Sequence, residues 1–137
     1  VTRNSMGPAY SPVLDEIYLP DRAQFTQPER YYKSRMHETV HWTGHKARLN
    51  RDLEGLKGSD RYSFEELVAE LGAAMFCALT GIDGSTDENS AAYLKGWLDH
   101  LQQNPTWIVK AAGKAQRALE YIRGGPLVAV PGQEEDV

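Results

Sequence analysis

The chain has 137 residues, with 15 Lys and Arg against 19 Asp and Glu and a formal net charge of −4. That length fits one domain with its own core, and the acidic balance gives no general attraction to nucleic acid. A single cysteine, Cys77, excludes an internal disulfide, and no apolar stretch is long enough to span a bilayer.

Residues 1–12, with Gly7, Pro8 and Pro12, read as an irregular entry. Ile17-Tyr18-Leu19 is a short β-rich run stopped by Pro20, which suits an edge strand. Such a strand either holds an extended substrate by main-chain pairing or only packs on the core, and its residues do not choose between the two. Thr26 is an N-cap candidate, with Pro28 and Glu29 in the first turn of a long helix running to Thr43 and Gly44 as its natural C′ residue. Residues 44–60 are polar and basic (Lys46, Arg48, Arg51, Lys57) and read as a solvated connecting loop. Ser63 and Glu66 form a capping-box pattern for a second helix, whose stripe is Phe64, Leu67, Val68, Leu71, Met75 and Ala78 and whose end lies near Thr80-Gly81. Cys77 falls in that helix and reads as a buried thiol. A polar loop over 83–90 leads to a third helix from Asn89 or Ser90, through Tyr93, Trp97 and Leu101. Asn104 is a cap candidate for a fourth helix, opening at Pro105 and stopping at Gly124-Gly125. One domain over 1–125 and a mobile tail over 126–137 are expected. The absence of a signal pattern points to a reducing, cytoplasmic setting, and the opening Val1 to a piece of a longer protein.

The chemistry concentrates in His37-Glu38-Thr39-Val40-His41. On a helix, two histidines four apart project from one face, one turn apart, with Glu38 beside them. This is the H-E-x-x-H spacing: two nitrogen ligands for zinc and one carboxylate free to handle a proton. Catalytic zinc needs a third protein ligand. A metzincin continuation from His41-x-x-Gly44 fails, because Ala47 stands where the third histidine is required. His45 comes two residues too early and is left as a group that supports a ligand from behind, or as an alternative ligand. The better source is the second helix, where Glu66 and Glu70 share a face. Glu66 is assigned as ligand and Glu70 as the group that orients a ligand histidine, the reverse assignment being the alternative. Tyr18, Tyr62 and His45 are candidates for an oxyanion or substrate contact. His100 reads as a surface or packing residue.

Ala9-Tyr10-Ser11-Pro12, Tyr31-Tyr32, the segment 37–45, Arg48-Leu49-Asn50-Arg51 and Phe64-Glu65-Glu66-Leu67-Val68-Ala69-Glu70-Leu71 together resemble one family. It is the zincin-like metallopeptidase domain of ArdC-type antirestriction and polyvalent proteins of plasmids and phages, and the likeness covers about residues 8–123. The resemblance implies an α+β, zincin-like fold, mostly helical, with a small N-terminal sheet packed on the H-E-x-x-H helix. It implies a metal at His37, His41 and a glutamate of the second helix, with Glu38 as general base. It also implies a parent protein that protects incoming DNA, with single-stranded DNA held by a separate N-terminal domain not included in this sequence.

Three functions compete. The first is a zinc-dependent peptidase acting on a protein or peptide, with other divalent ions as possible substitutes. The second is a metal-stabilised binding module of an antirestriction or DNA-binding protein, without turnover. The third is nucleic-acid binding through Lys46, Arg48 and Arg51, against which stands the reading of that loop as a solvated connector. No membrane partner is expected.

Overall fold

The structure is a computed structural model that describes residues 1–3, 6–56, 60–83 and 90–127, the first two residues of the last stretch as backbone only. A small sheet and four helices make up the fold. The strands are β1 (Thr2–Arg3), β2 (Ala9–Ser11) and β3 (Glu16–Leu19); the helices are α1 (Pro28–Thr43), α2 (Phe64–Thr80), α3 (Ser90–Gln103) and α4 (Trp107–Arg123). Single 3-10 turns occupy Arg22–Gln24 and Glu54–Leu56.

The sheet order is β1-β3-β2, with β1 parallel and β2 antiparallel to β3. This corrects two expectations. The first 12 residues are not simply irregular, since they hold β1 and β2. β3 is central rather than an edge: Tyr18 is in register with Thr2 on one side and Ala9 on the other, so its main chain is not open to a substrate. The alternation along β3 still holds. Ile17 and Leu19 are buried with Tyr10, packed by Tyr31, Trp42, Leu53 and Leu56, which seats the sheet on α1.

The main core lies on the other side of α1. Val40 of α1 meets Leu67, Val68 and Ala69 of α2, Trp97 of α3, and Ala111, Ala115, Ala118 and Leu119 of α4. The alanines let α4 approach α2 closely. Gly72 does the same between α1 and α2: a Cβ built there would stand 2.8 Å from Val40 Cγ2. Val40 is β-branched and fully buried, so it has little freedom to yield. Gly72→Ala is therefore expected to lower stability by about 1–3 kcal/mol despite its better helix propensity. In denaturant titrations, the cost of the double variant with Val40→Ala should be less than the sum of the single costs.

Helix boundaries follow local chemistry, with three adjustments. Gln27, not Thr26, is the N-cap of α1, with Pro28 at the first helical position. Gly44 ends α1 at φ −78, outside the left-handed region. What requires glycine there is room, since a Cβ would lie 2.8 Å from both Arg51 Nη2 and Leu53 Cδ2. Asn104 closes α3 rather than opening α4: its side-chain amide donates to the His100 carbonyl at 2.9 Å, and α4 starts at Trp107. Ser63 caps α2 by accepting from the Glu66 N–H at 3.3 Å. Cys77 is a buried free thiol, and burial pushes its pKa up. Most of the expected loop over 83–90 and of the expected tail over 126–137 lies outside the described residues. Among the described residues, no helix is long and apolar enough to cross a membrane.

Candidate metal centre

α1 and α2 pack side by side, and their facing turns carry the polar cluster. His37 and His41 lie one turn apart on α1, with Nε2 atoms 3.2 Å from each other. Glu66 of α2 reaches both: Oε2 is 3.0 Å from His37 Nε2 and Oε1 is 3.2 Å from His41 Nε2. The capping box is therefore half formed, because the Glu66 carboxylate turns toward the imidazoles and not back to Ser63. One ligand atom from each of His37, His41 and Glu66 lies within 4.8 Å of the others.

The far side of each ring is held as well. His37 Nδ1 is 3.1 Å from Glu70 Oε1, and His41 Nδ1 is 3.2 Å from Glu65 Oε1. A carboxylate at Nδ1 selects the tautomer that carries its proton there, which leaves the Nε2 lone pair free. Two such lone pairs and a carboxylate aimed at one point repel one another unless a cation or a proton lies among them. This donor set, two imidazoles and one carboxylate, fits zinc or another borderline divalent ion.

The titration behaviour follows from the same contacts. Burial pulls the His37 imidazole down, but the bonds to Glu66 and Glu70 outweigh it and push it up to about 10. His41 is likewise lowered by burial and raised further by Glu65 and Glu66, for a net rise. Burial raises the Glu66 carboxyl, yet the two histidines hold it at about 2. Glu70 is lowered on balance by His37, against burial. Glu38 goes the other way. It is 8% exposed, and burial, with the Glu66 and Glu70 charges adding to it, raises its pKa against the pull of His37 and His41.

In protein stripped of metal these shifts make stability depend on pH. His37 rises from 6.5 to about 10, so its stabilising contribution is complete below 6.5 and is lost as pH climbs through about 10. Glu66 falls from 4.5 to about 2, so its contribution is complete above 4.5 and is lost as pH drops through about 2. Urea denaturation of chelator-treated protein should show stability falling from pH 7 to 10, with a shallower fall in His37→Gln.

The remaining candidates sit elsewhere. Tyr18 occupies the sheet face opposite Ile17 and Leu19, and its hydroxyl donates to Glu16 at 2.7 Å. Tyr62 stacks on His100 at 4.8 Å and edges against Trp97 at 5.1 Å, inside the α3 contact. His45 Nδ1 accepts from the Ala47 N–H at 3.1 Å, and its ring lines a shallow hollow with Pro12, Val13 and Lys46. None of the three joins the histidine cluster.

The basic loop also differs from the solvated connector expected. The Arg48 side chain is 11% exposed; it pairs with Asp15, donates to the Trp42 carbonyl at 2.7 Å and stacks on the Trp42 ring at 3.9 Å. The Arg51 side chain is 6% exposed and pairs with Glu65 at 2.8 Å. A nucleic-acid reading of this loop thus loses two of its three named charges to internal carboxylates. Sequence reasoning missed Glu65 and Arg51. Glu65 had one available signal, its place in the first turn of a helix that also supplies Glu66. Arg51 had only its place in the Arg48-Leu49-Asn50-Arg51 segment of the family likeness, since by charge alone a loop residue reads as solvated.

Residues 1–114 match the family model described as a zincin-like metallopeptidase, MPTase-PolyVal. A DNA primase TraC of Escherichia coli is 40% identical over 113 residues, which cover 82% of this chain and 11% of the primase. The metal-free crystal structure of the antirestriction protein ArdC from the R388 plasmid has a TM-score of 0.69 at 40% identity, over 89% of this chain and 44% of ArdC. Its Mn(II)-bound crystal structure gives 0.65 at 35% identity, over 90% of this chain and 45% of ArdC. The chain therefore spans about a tenth of the primase and less than half of ArdC.

Proposed function

Since the chain belongs to the zincin-like metallopeptidase family and shares its α+β fold with the ArdC antirestriction protein, we propose that it is the hydrolytic domain of an antirestriction-type protein of a mobile element. In this reading it holds one divalent ion, zinc by its ligand chemistry, and cleaves a peptide bond of a protein substrate. His37 Nε2, His41 Nε2 and Glu66 hold the ion, and Glu70 orients His37. The observation that carries the reading is the convergence of those three groups, backed by a carboxylate at each Nδ1. The Mn(II)-bound form of ArdC supports a divalent site in this chain too.

When bound, the ion supplies Lewis acidity and lowers the pKa of a coordinated water to about 7. The proton transfers fall to Glu38. Its carboxylate takes a proton from the attacking water and returns it to the departing amine. The buried setting that raises its pKa brings it nearer the operating pH of a general base. Any DNA contact of the parent protein is assigned to a part of it outside this sequence.

The test is a cleavage screen on a peptide library and on host lysate. Cleavage by purified protein, lost on chelation and restored by one equivalent of zinc, supports the reading. Full metal occupancy with no product in either screen favours a metal-stabilised binding module. One observation leans toward that second reading: Tyr18, Tyr62 and His45, the expected oxyanion or substrate contacts, all lie outside the cluster.

A further inference from the structure

Both oxygens of Glu65 are taken by one guanidinium. Arg51 Nη2 donates to Oε1 at 2.8 Å and Nε donates to Oε2 at 3.1 Å. The same Arg51 donates to the Val40 carbonyl at 2.6 Å and to Thr43 Oγ1 at 2.9 Å, both in the last turn of α1. Oε1 of Glu65 also stands 3.2 Å from His41 Nδ1. Glu65 and Thr43 are buried, and the hydrogen-sized side chain of Gly44 leaves the guanidinium its place. We propose that Arg51 is a positioning residue for the metal centre, acting through Glu65 to fix the ring and tautomer of His41. This rests on the reading above that His37, His41 and Glu66 hold a metal ion.

The physical argument is one of fixed geometry. A carboxylate gripped at one oxygen still turns about its last bond; gripped at both by a planar fork, it does not. His41 Nδ1 then always meets the same acceptor, so its proton stays there and Nε2 presents its lone pair to the ion. Arg51 also ties Glu65 on α2 to the end of α1, so the two helices bearing the ligands share one clamp. Lysine cannot replace it, because a point charge with three donors lacks the fork. Glutamine at 65 offers one acceptor oxygen where two are used and turns an NH2 toward a donor.

Cobalt(II) titration tests the proposal, read by d–d absorption, with circular dichroism and thermal unfolding of the stripped proteins alongside. Wild type should saturate at one cobalt per chain. Arg51→Lys and Glu65→Gln should stay folded, bind cobalt about 10–100-fold more weakly and show altered d–d bands. Leu119→Ala, a core substitution on α4, should lower the thermal midpoint and leave cobalt affinity and bands as in wild type. Should Arg51→Lys not fold, Glu65→Gln decides alone. Binding within twofold of wild type with unchanged bands overturns the proposal, as does equal weakening by Leu119→Ala. A wild-type protein that takes up no cobalt overturns the metal reading itself, a different and separately visible failure.

Discussion

Glu38→Gln is expected to bind metal at wild-type stoichiometry and to lose peptide hydrolysis by roughly 10²- to 10⁴-fold, or about 3–5 kcal/mol of transition-state stabilisation. The two halves of that expectation have separate causes. Glu38 lies on α1 beside His37, but the three converging donors are His37, His41 and Glu66. Removing its charge therefore leaves the ligand set whole. What it removes is a carboxylate left outside the pairings of this cluster, since Glu65, Glu66 and Glu70 are all engaged by an imidazole or a guanidinium. An amide of the same shape cannot accept and return a proton. Occupancy by mass spectrometry and rate by a fluorogenic peptide from the cleavage screen separate the effects. Equal rates for variant and wild type would remove Glu38 from the chemistry and leave the binding-module reading.

His41→Ala is expected to weaken zinc by roughly a hundredfold or more, with hydrolysis falling alongside. The magnitude comes from sharing the 10–16 kcal/mol of a four-ligand zinc site among its ligands, about 3 kcal/mol each. The second consequence is structural. His41 is 1% exposed and bridges Glu65 and Glu66. Its loss opens a buried hole beside two carboxylates and should lower the thermal midpoint of even the stripped protein. His45→Ala is the matched contrast. It lies four residues on, in the same histidine-rich segment, but its ring faces Ala47 and the Pro12 hollow. Zinc affinity in that variant should stay within about twofold of wild type. A comparable loss in both variants would mean that His45 takes part in the site after all.

These contrasts mark what was legible in the sequence. Periodic features carried far: Pro28 and Gly44 bracket α1, and the spacing of four in both His37/His41 and Glu66/Glu70 put each pair on one helical face. Their convergence follows once two such helices pack together, which the small residues around Gly72 permit. Strands of two and three residues leave no alternation to read, so β1 and β2 were hidden in an entry that looked irregular. Without them β3 could only look like an edge. Arg48 and Arg51 were illegible for another reason. Their partners, Asp15 and Glu65, lie 33 and 14 residues away, and local charge pattern says nothing of such pairs. Gly44 shows the same limit at one position: the sequence called for glycine, and packing against Arg51 and Leu53, not a left-handed turn, is why.

The most direct measurement is zinc uptake by equilibrium dialysis, followed by X-ray absorption at the zinc edge on the loaded protein. One zinc per chain, in a shell of nitrogen and oxygen with the multiple scattering of two imidazoles, is the predicted result, with uptake abolished in the His37→Ala, His41→Ala double variant. No uptake by the folded wild type, or uptake that the double variant retains, would contradict it.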